Sequence, residues 1–180
     1  MKATTVESKF PLLAVEAGCI ISKDADITVA YRVELPELFT VTSAEYEAIH
    51  AAWVKAVKVL PDYSIVHKAD WFISEKYRPQ TGDGDMSFLS RSYERHFNER
   101  PFLNHSCYLF LTKTTKERMR MQSNFSTLCR GNIIPKEVNK DTATKFLEAT
   151  GQFERIINDS GFITITCLTD DEITGTPDNA

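Results

Sequence analysis

Four histidines, His50, His67, His96 and His105, are the side chains of this chain best suited to move protons near neutral pH. They share no local spacing that would make a metal ligand set or a nucleophile–base pair, so each is read as a structural histidine. Asp83-x-Asp85-x-Ser87, with Glu94 at the twelfth position, partly imitates a calcium loop. The sixth position of such a loop must be glycine for its sharp turn, and Phe88 stands there. A solvated acidic loop running into a helix N-cap is the better description. A phosphate-gripping loop needs Gly-x-x-x-x-Gly-Lys-Ser/Thr, because glycine lets successive backbone N–H groups face the phosphates. None of the seven glycines lies in that frame; Gly131-Asn-Ile-Ile-Pro-Lys136 lacks the second glycine. The chain is therefore expected neither to bind nor to hydrolyse ATP. The adjacent carboxylates Asp170-Asp171 suit the first turn of a helix, where the macrodipole favours negative charge.

Cys19, Cys107, Cys129 and Cys167 are widely separated, with no Cys-x-x-Cys pair and no histidine at zinc spacing. Cys107 and Cys167 sit inside apolar strand patterns, where a thiol behaves as a small hydrophobe. No metal and no cofactor is expected in this chain.

Charge is the one feature that points to binding chemistry. The net charge is −4, which argues against a generally nucleic-acid-binding surface. Yet residues 101–136 hold Lys113, Lys116, Arg118, Arg120, Arg130 and Lys136 against the single acid Glu117. The acids are concentrated in the segment that follows. Lys113, Lys116, Arg118, Arg120 and Arg130, around Phe125 and several hydroxyls, form the candidate partner-binding segment. A protein face is the expected partner. The alternative is a single-stranded nucleic acid, which such charges bind together with exposed aromatics.

The elements that must carry these residues are legible in the pattern. Leu12–Val15, Cys19–Ser22 and Ile27–Leu35 read as strands, the third with a strict period of two and hence one buried face. Thr42-x-x-Glu45 is a capping box with Val41 poised to staple onto Tyr46. It opens a helix striped by Tyr46, Ile49, Trp53, Val57 and Leu60 and stopped at Pro61. A strand follows over 63–74. A helix begins near Asp85, with Leu89, Tyr93 and Phe97 four residues apart on one face. Cys107–Leu111 is continuously apolar and reads as a strand covered on both faces. A third long helix, capped by Asn139 or Asp141, buries Phe146, Leu147, Thr150, Phe153, Ile156 and Ile157, and Gly161 serves its C-terminal turn. Trp53 and Phe153 should anchor their helices on the sheet that holds Cys107–Leu111. Phe162–Cys167 is the last strand, and Thr169-x-x-Glu172 caps a final turn.

At 180 residues, 42% hydrophobic and 26% charged, the chain has the composition of one globular domain and can bury an ordinary core. The expectation is an α+β, two-layer sandwich with a mixed sheet and three long helices mostly on one face. The domain should span 1–175, with 176–180 a tail. No apolar run approaches the ~20 residues needed to cross a bilayer, and no export signal is visible, so the chain is expected to be cytoplasmic.

Several phrases resemble a known family. Lys9-Phe-Pro-Leu-Leu-Ala-Val-Glu16, Cys19-Ile-Ile-Ser-Lys-Asp24, Glu34-Leu-Pro-Glu-Leu-Phe39 and Val59-Leu-Pro-Asp62 are similar to the amino-terminal region of the TraG proteins of Bacteroides-type conjugative transposons. Phe88-Leu-Ser-Arg-Ser-Tyr93, His96-Phe-Asn-Glu-Arg-Pro101, Tyr108-Leu-Phe-Leu-Thr-Lys-Thr114 and Gly151-Gln-Phe-Glu-Arg155 continue the resemblance almost to Gly175. That family is similar to the VirB/TrbE-type ATPases of type IV secretion systems. The resemblance implies a non-catalytic docking and oligomerisation domain that couples a motor to the inner-membrane DNA-transfer machinery. It implies inner-membrane subunits and other copies of the ATPase as partners, and peripheral membrane association through them. The phosphate loop, with its ATP and Mg, would belong to a motor domain beyond this segment.

Overall fold

Along Ile27-Thr-Val-Ala-Tyr-Arg-Val-Glu34 the side chains point alternately to the two faces of a sheet. In the computed structural model Val29, Tyr31 and Val33 are buried on one face and Ala30 on the other, while Arg32 and Glu34 are exposed. The structure describes residues 10–23, 26–37, 39, 41–77, 87–98, 100–114 and 140–175. Their elements are β1 (Leu12–Glu16), β2 (Cys19–Ser22), β3 (Ile27–Glu34), α1 (Ser43–Val57), β4 (Ser64–Lys76), α2 (Phe88–Asn98), β5 (Pro101–Lys113), α3 (Lys140–Asn158), β6 (Thr164–Cys167) and α4 (Asp170–Thr174). The fold is α+β. Its six-stranded sheet runs β1-β2-β3-β5-β4, with β6 also paired to β3.

Two strands divide β3 between them. β2 pairs antiparallel with its first half (Cys19↔Val29, Ile21↔Ile27), and β6 pairs antiparallel with its second half (Tyr31↔Cys167, Glu34↔Thr164). The hydroxyls of Thr28 and Thr112 meet at 2.8 Å and tie β3 to β5.

The chain forms two compact units. The first comprises Met1–Lys68 with Tyr108–Ala180, and the second Ala69–Cys107. The core lies in the first. Phe146, Phe153 and Ile157 project from α3 at the four- and seven-residue spacing that makes one helical stripe, and all are fully buried. Tyr31 lies beneath them and donates its hydroxyl to the Thr150 carbonyl at 3.3 Å. Burial pushes the Tyr31 phenol far above its ordinary pKa, so it stays a neutral donor. Asn158 then clamps β6 with both ends of its amide. Its Oδ1 accepts from the Ile165 N–H at 2.8 Å and its Nδ2 donates to the Ile165 carbonyl at 3.1 Å.

Both capping boxes form, at Thr42 with Glu45 and at Thr169 with Glu172. The stripe of α1 is rotated from its expected position. Tyr46 and Val57 are exposed, and Ala56 is buried. The reason is the neighbour: α1 packs on α3, where alanine permits close approach, and Trp53 meets the Phe153 ring edge-on with centroids 5.8 Å apart. Leu147, expected in the stripe of α3, is also exposed.

β5 departs from its expected burial too. Cys107, Leu109 and Leu111 are buried, but Tyr108 and Phe110 are only half-buried, so the continuous apolar run has one closed face rather than two. Cys19 and Cys107 are buried thiols and Cys167 is half-buried. Burial pushes the Cys19 thiol up, as suits a packed rather than reactive cysteine.

The β1–β2 turn needs positive φ at Ala17 (54°) and Gly18 (73°), the backbone of a tight hairpin. Alanine adopts this region at a cost of about 1 kcal/mol or more. The Asp170 carboxylate holds it there: Oδ2 accepts from the Ala17 N–H at 3.0 Å and Oδ1 from the Gly18 N–H at 2.7 Å. Arg32 on β3 reaches Glu172 at 3.1 Å, and α4 is thereby fastened to the sheet.

Two outcomes follow from this packing. Phe153→Ala should cost about 3–5 kcal/mol, read as a lower denaturation midpoint. Hydrogen bonds from the Thr169 backbone and hydroxyl, with a smaller contribution from Arg32, hold the Glu172 carboxyl below its ordinary value of 4.5. A depressed pKa contributes stability that is present above the unfolded value and lost as pH falls through the folded one. The α4 cap should therefore release only as pH drops below 4.5, seen by NMR titration of the Glu172 carboxyl carbon and the Thr169 amide.

Candidate functional site

The second unit is built from residues 69–76 of β4, helix α2, and residues 101–107 of β5. Its apolar side chains are not enclosed. Cys107 is its only buried residue among those described. On β4, Trp71, Phe72 and Ile73 are exposed in succession, so both faces of the strand present apolar surface. On α2, Phe88 and Leu89 are 85% and 80% exposed. Phe102 and Leu103 on β5 are exposed as well.

Local contacts position this surface. Ser87 starts α2: its Oγ accepts from the Ser90 N–H at 3.2 Å and its carbonyl from the Arg91 N–H at 3.0 Å. Arg95 and His96 in the last turn complement the helix dipole. Phe97 packs on Tyr93 with centroids 4.5 Å apart and meets Tyr77 edge-on at 6.3 Å. Tyr77 also donates to Glu94 Oε1 at 3.4 Å, which fastens α2 to the residue that follows β4. Desolvation, reinforced by the negative charge of Glu94, raises the Tyr77 pKa and keeps the phenol protonated.

On the strands, the His105 ring lies flat on Phe72, with centroids 4.6 Å apart and planes inclined by 13°. The Asp70 carboxylate meets His105 Nε2 at 2.9 Å and fixes the ring in that plane. Asn104 donates to Glu75 at 3.2 Å. The result is a polar frame that orders aromatic and aliphatic side chains against solvent. Apolar surface held in this way is suited to association.

Of the residues expected to bind a partner, Lys113 alone lies within the described residues; Lys116, Arg118, Arg120 and Arg130 lie outside them. Lys113 belongs to the first unit and is engaged there. Its Nζ donates to the carbonyls of Asp62 at 2.6 Å and Thr114 at 3.1 Å, and it stands 5.5 Å from the Tyr63 ring centroid. Tyr63 has φ 62°, and Thr114 donates its N–H to the Tyr63 carbonyl at 3.1 Å. The cation thus braces a strained turn at the start of β4.

The histidines do not converge. His67 lies against Phe110, His96 against Phe97 and His105 on Phe72, each packed on an aromatic ring. Asp83 and Asp85 of the calcium-like segment, and Cys129, lie outside the described residues. Among the described residues no cluster of three or more His, Cys, Asp or Glu is arranged to hold a metal.

The exposed aromatic surface was only half visible in the sequence. The four-residue spacing of Leu89, Tyr93 and Phe97 marks an apolar helix face, but no periodicity says whether a face is covered. The other unforeseen site, Asp170 on the β1–β2 turn, joins residues 152 and 153 positions apart and leaves no local signal.

Residues 1–51 match a family model described as "Domain of unknown function, B. Theta Gene description (DUF3875)". The match covers β1 to β3 and about half of α1. No curated protein matches the chain.

Because Phe88 and Leu89 bury little surface, Phe88→Ser with Leu89→Ser should shift stability by no more than about 0.5 kcal/mol per site. Denaturation midpoints of the wild-type and substituted chains check this.

Proposed function

We propose that this chain is a non-catalytic docking domain, and that the exposed apolar surface of its second unit is where a protein partner binds. The observation that carries the reading is the run Trp71-Phe72-Ile73, solvent-exposed in the same small unit as the exposed Phe88 and Leu89. Aromatic side chains supply large contact area with few rotatable bonds, and they dominate the energy of protein interfaces. The polar frame around them, Asp70 with His105 and Tyr77 with Glu94, reduces the ordering needed on binding.

The TraG-like phrases supply the setting. They support a domain that couples a conjugative-transfer ATPase of the type IV secretion class to inner-membrane subunits of the transfer machinery. Among the described residues no helix is long and apolar enough to cross a membrane. In this reading, association with the membrane is peripheral and runs through those subunits. ATP and Mg are matters for the motor domain of the parent protein.

The test places Phe88→Ser and Leu89→Ser in the full-length parent. Loss of interface anchors typically weakens binding by about tenfold or more per residue. Conjugal transfer and co-purification with inner-membrane subunits should fall accordingly, while the amount of folded protein is unchanged. Normal transfer with the doubly substituted protein overturns the reading.

A further inference from the structure

Helix α2 is fastened to its unit along one side. Tyr77 packs edge-on against Phe97 and donates to Glu94, and Glu94 is half-buried while every other residue of the helix is exposed. Successive helical residues turn by about 100°. The direction opposite Glu94 and Phe97 is therefore held by Ser92, with Phe88 to one side of it and Leu89 and His96 to the other. Arg91, three residues after Phe88, is its neighbour on the helix surface. The outward face thus presents two large apolar side chains, 85% and 80% exposed, next to a guanidinium.

Charge on this face has one sign. Glu94 is the single acid of α2 and is turned away, its Oε1 on Tyr77 and its Oε2 buried. No carboxylate among the described residues pairs with Arg91. Arg95 and His96 add basic character in the last turn. An anionic partner is called for, and the layout of the face selects its kind. A bilayer needs an apolar stripe that runs along the helix. Here the outward face is apolar in its first turn and polar beyond it, at Ser92, Arg95 and His96. A nucleic-acid strand needs a basic track for successive phosphates, and a net charge of −4 opposes a polyanion. A short acidic protein segment asks for less. One apolar side chain covers Phe88 and Leu89, and one carboxylate takes the Arg91 guanidinium in a bidentate pair. Ser92, small and central, lets the partner's backbone come close.

We propose that the outward face of α2 binds an acidic amphipathic segment of a partner protein, whose apolar residues cover Phe88 and Leu89 and whose carboxylate pairs with Arg91. The inference rests on the reading of the second unit as a docking surface and names the chemistry of its partner. Aromatic side chains and arginine are the types enriched at protein interfaces. The charge pair then sets which partner is accepted, because an apolar segment with basic flanks meets Arg91 with a like charge.

The probe is a synthetic helical peptide of about twenty residues, with leucines on one face, glutamates flanking them and alanines elsewhere. Its counterpart carries lysine in place of each glutamate. Fluorescence anisotropy with the whole chain reads binding of both, and circular dichroism confirms that each variant is folded. The acidic peptide should bind about tenfold more tightly than the basic one, and less tightly as salt rises. Arg91→Glu should reverse the preference and Arg91→Lys should keep it. Phe88→Ser with Leu89→Ser should abolish binding of the acidic peptide. Absence of binding, equal binding of the two peptides, or indifference to Arg91→Glu overturns the proposal. Binding to phosphatidylglycerol vesicles or to an oligothymidine, dependent on Arg91 and without binding of the acidic peptide, overturns it in favour of a lipid or a nucleic acid. If the peptide does not bind but the Phe88→Ser, Leu89→Ser parent still loses transfer, the acidic partner falls and the docking reading stands. Binding that depends on Arg91, with normal transfer in that parent, does the reverse.

Discussion

The burial of Tyr31 under α3 is the constraint on which the larger unit depends. A phenol in that position must keep its proton and find an acceptor, and the Thr150 carbonyl provides one. That contact sets α3 over β3, and the helical spacing then delivers Phe146, Phe153 and Ile157 to the same layer. Once α3 is placed, Asn158 at its end receives β6, which completes the edge of β3 that β2 leaves open. The Asp170 clamp on the β1–β2 turn follows directly after that strand. Much of the first unit is thus a succession of consequences running from one buried side chain outward.

Several polar groups among the described residues of this unit serve its own architecture. Asp170 holds two turn amides, Asn158 a strand, Lys113 a loop, and each capping box its helix. Lys113, which looked available for binding, is engaged within the fold once its partners are seen. The second unit has the opposite economy. Its polar residues fix the His105 ring on Phe72 and tie Tyr77 to Glu94, while Trp71, Phe72, Phe88 and Leu89 stay exposed. A small segment cannot enclose that much aromatic area by itself, because its surface is too large for its volume. The uneven distribution of burial is the observation on which the proposed docking role of the second unit rests.

A good part of this was legible in the residues themselves. Period-two alternation located β3, and Thr-x-x-Glu located the starts of α1 and α4. Gly161 adopts the positive φ expected of the residue that ends α3. These features are local: a cap, a turn or an alternation is satisfied within a few residues, so sequence spacing encodes it directly. The expectation of a docking domain has another source, the resemblance of short contiguous phrases to TraG-type proteins, and it stands as a proposal.

What only the tertiary structure decided depends on which face meets which neighbour. The stripe of α1 rotated toward Ala56 because its neighbour is another helix. β5 kept one face open although its run Cys107–Leu111 is wholly apolar. Lys113 turned from a candidate ligand into a brace because Asp62 and Tyr63, some fifty residues earlier, fold beneath it. Leu89, Tyr93 and Phe97 form the stripe their spacing requires and yet remain exposed. Hydrophobic patterning states that a face prefers to leave water. Whether this chain covers it, or leaves it for a partner, is settled by contacts between residues far apart in sequence, which no local pattern records.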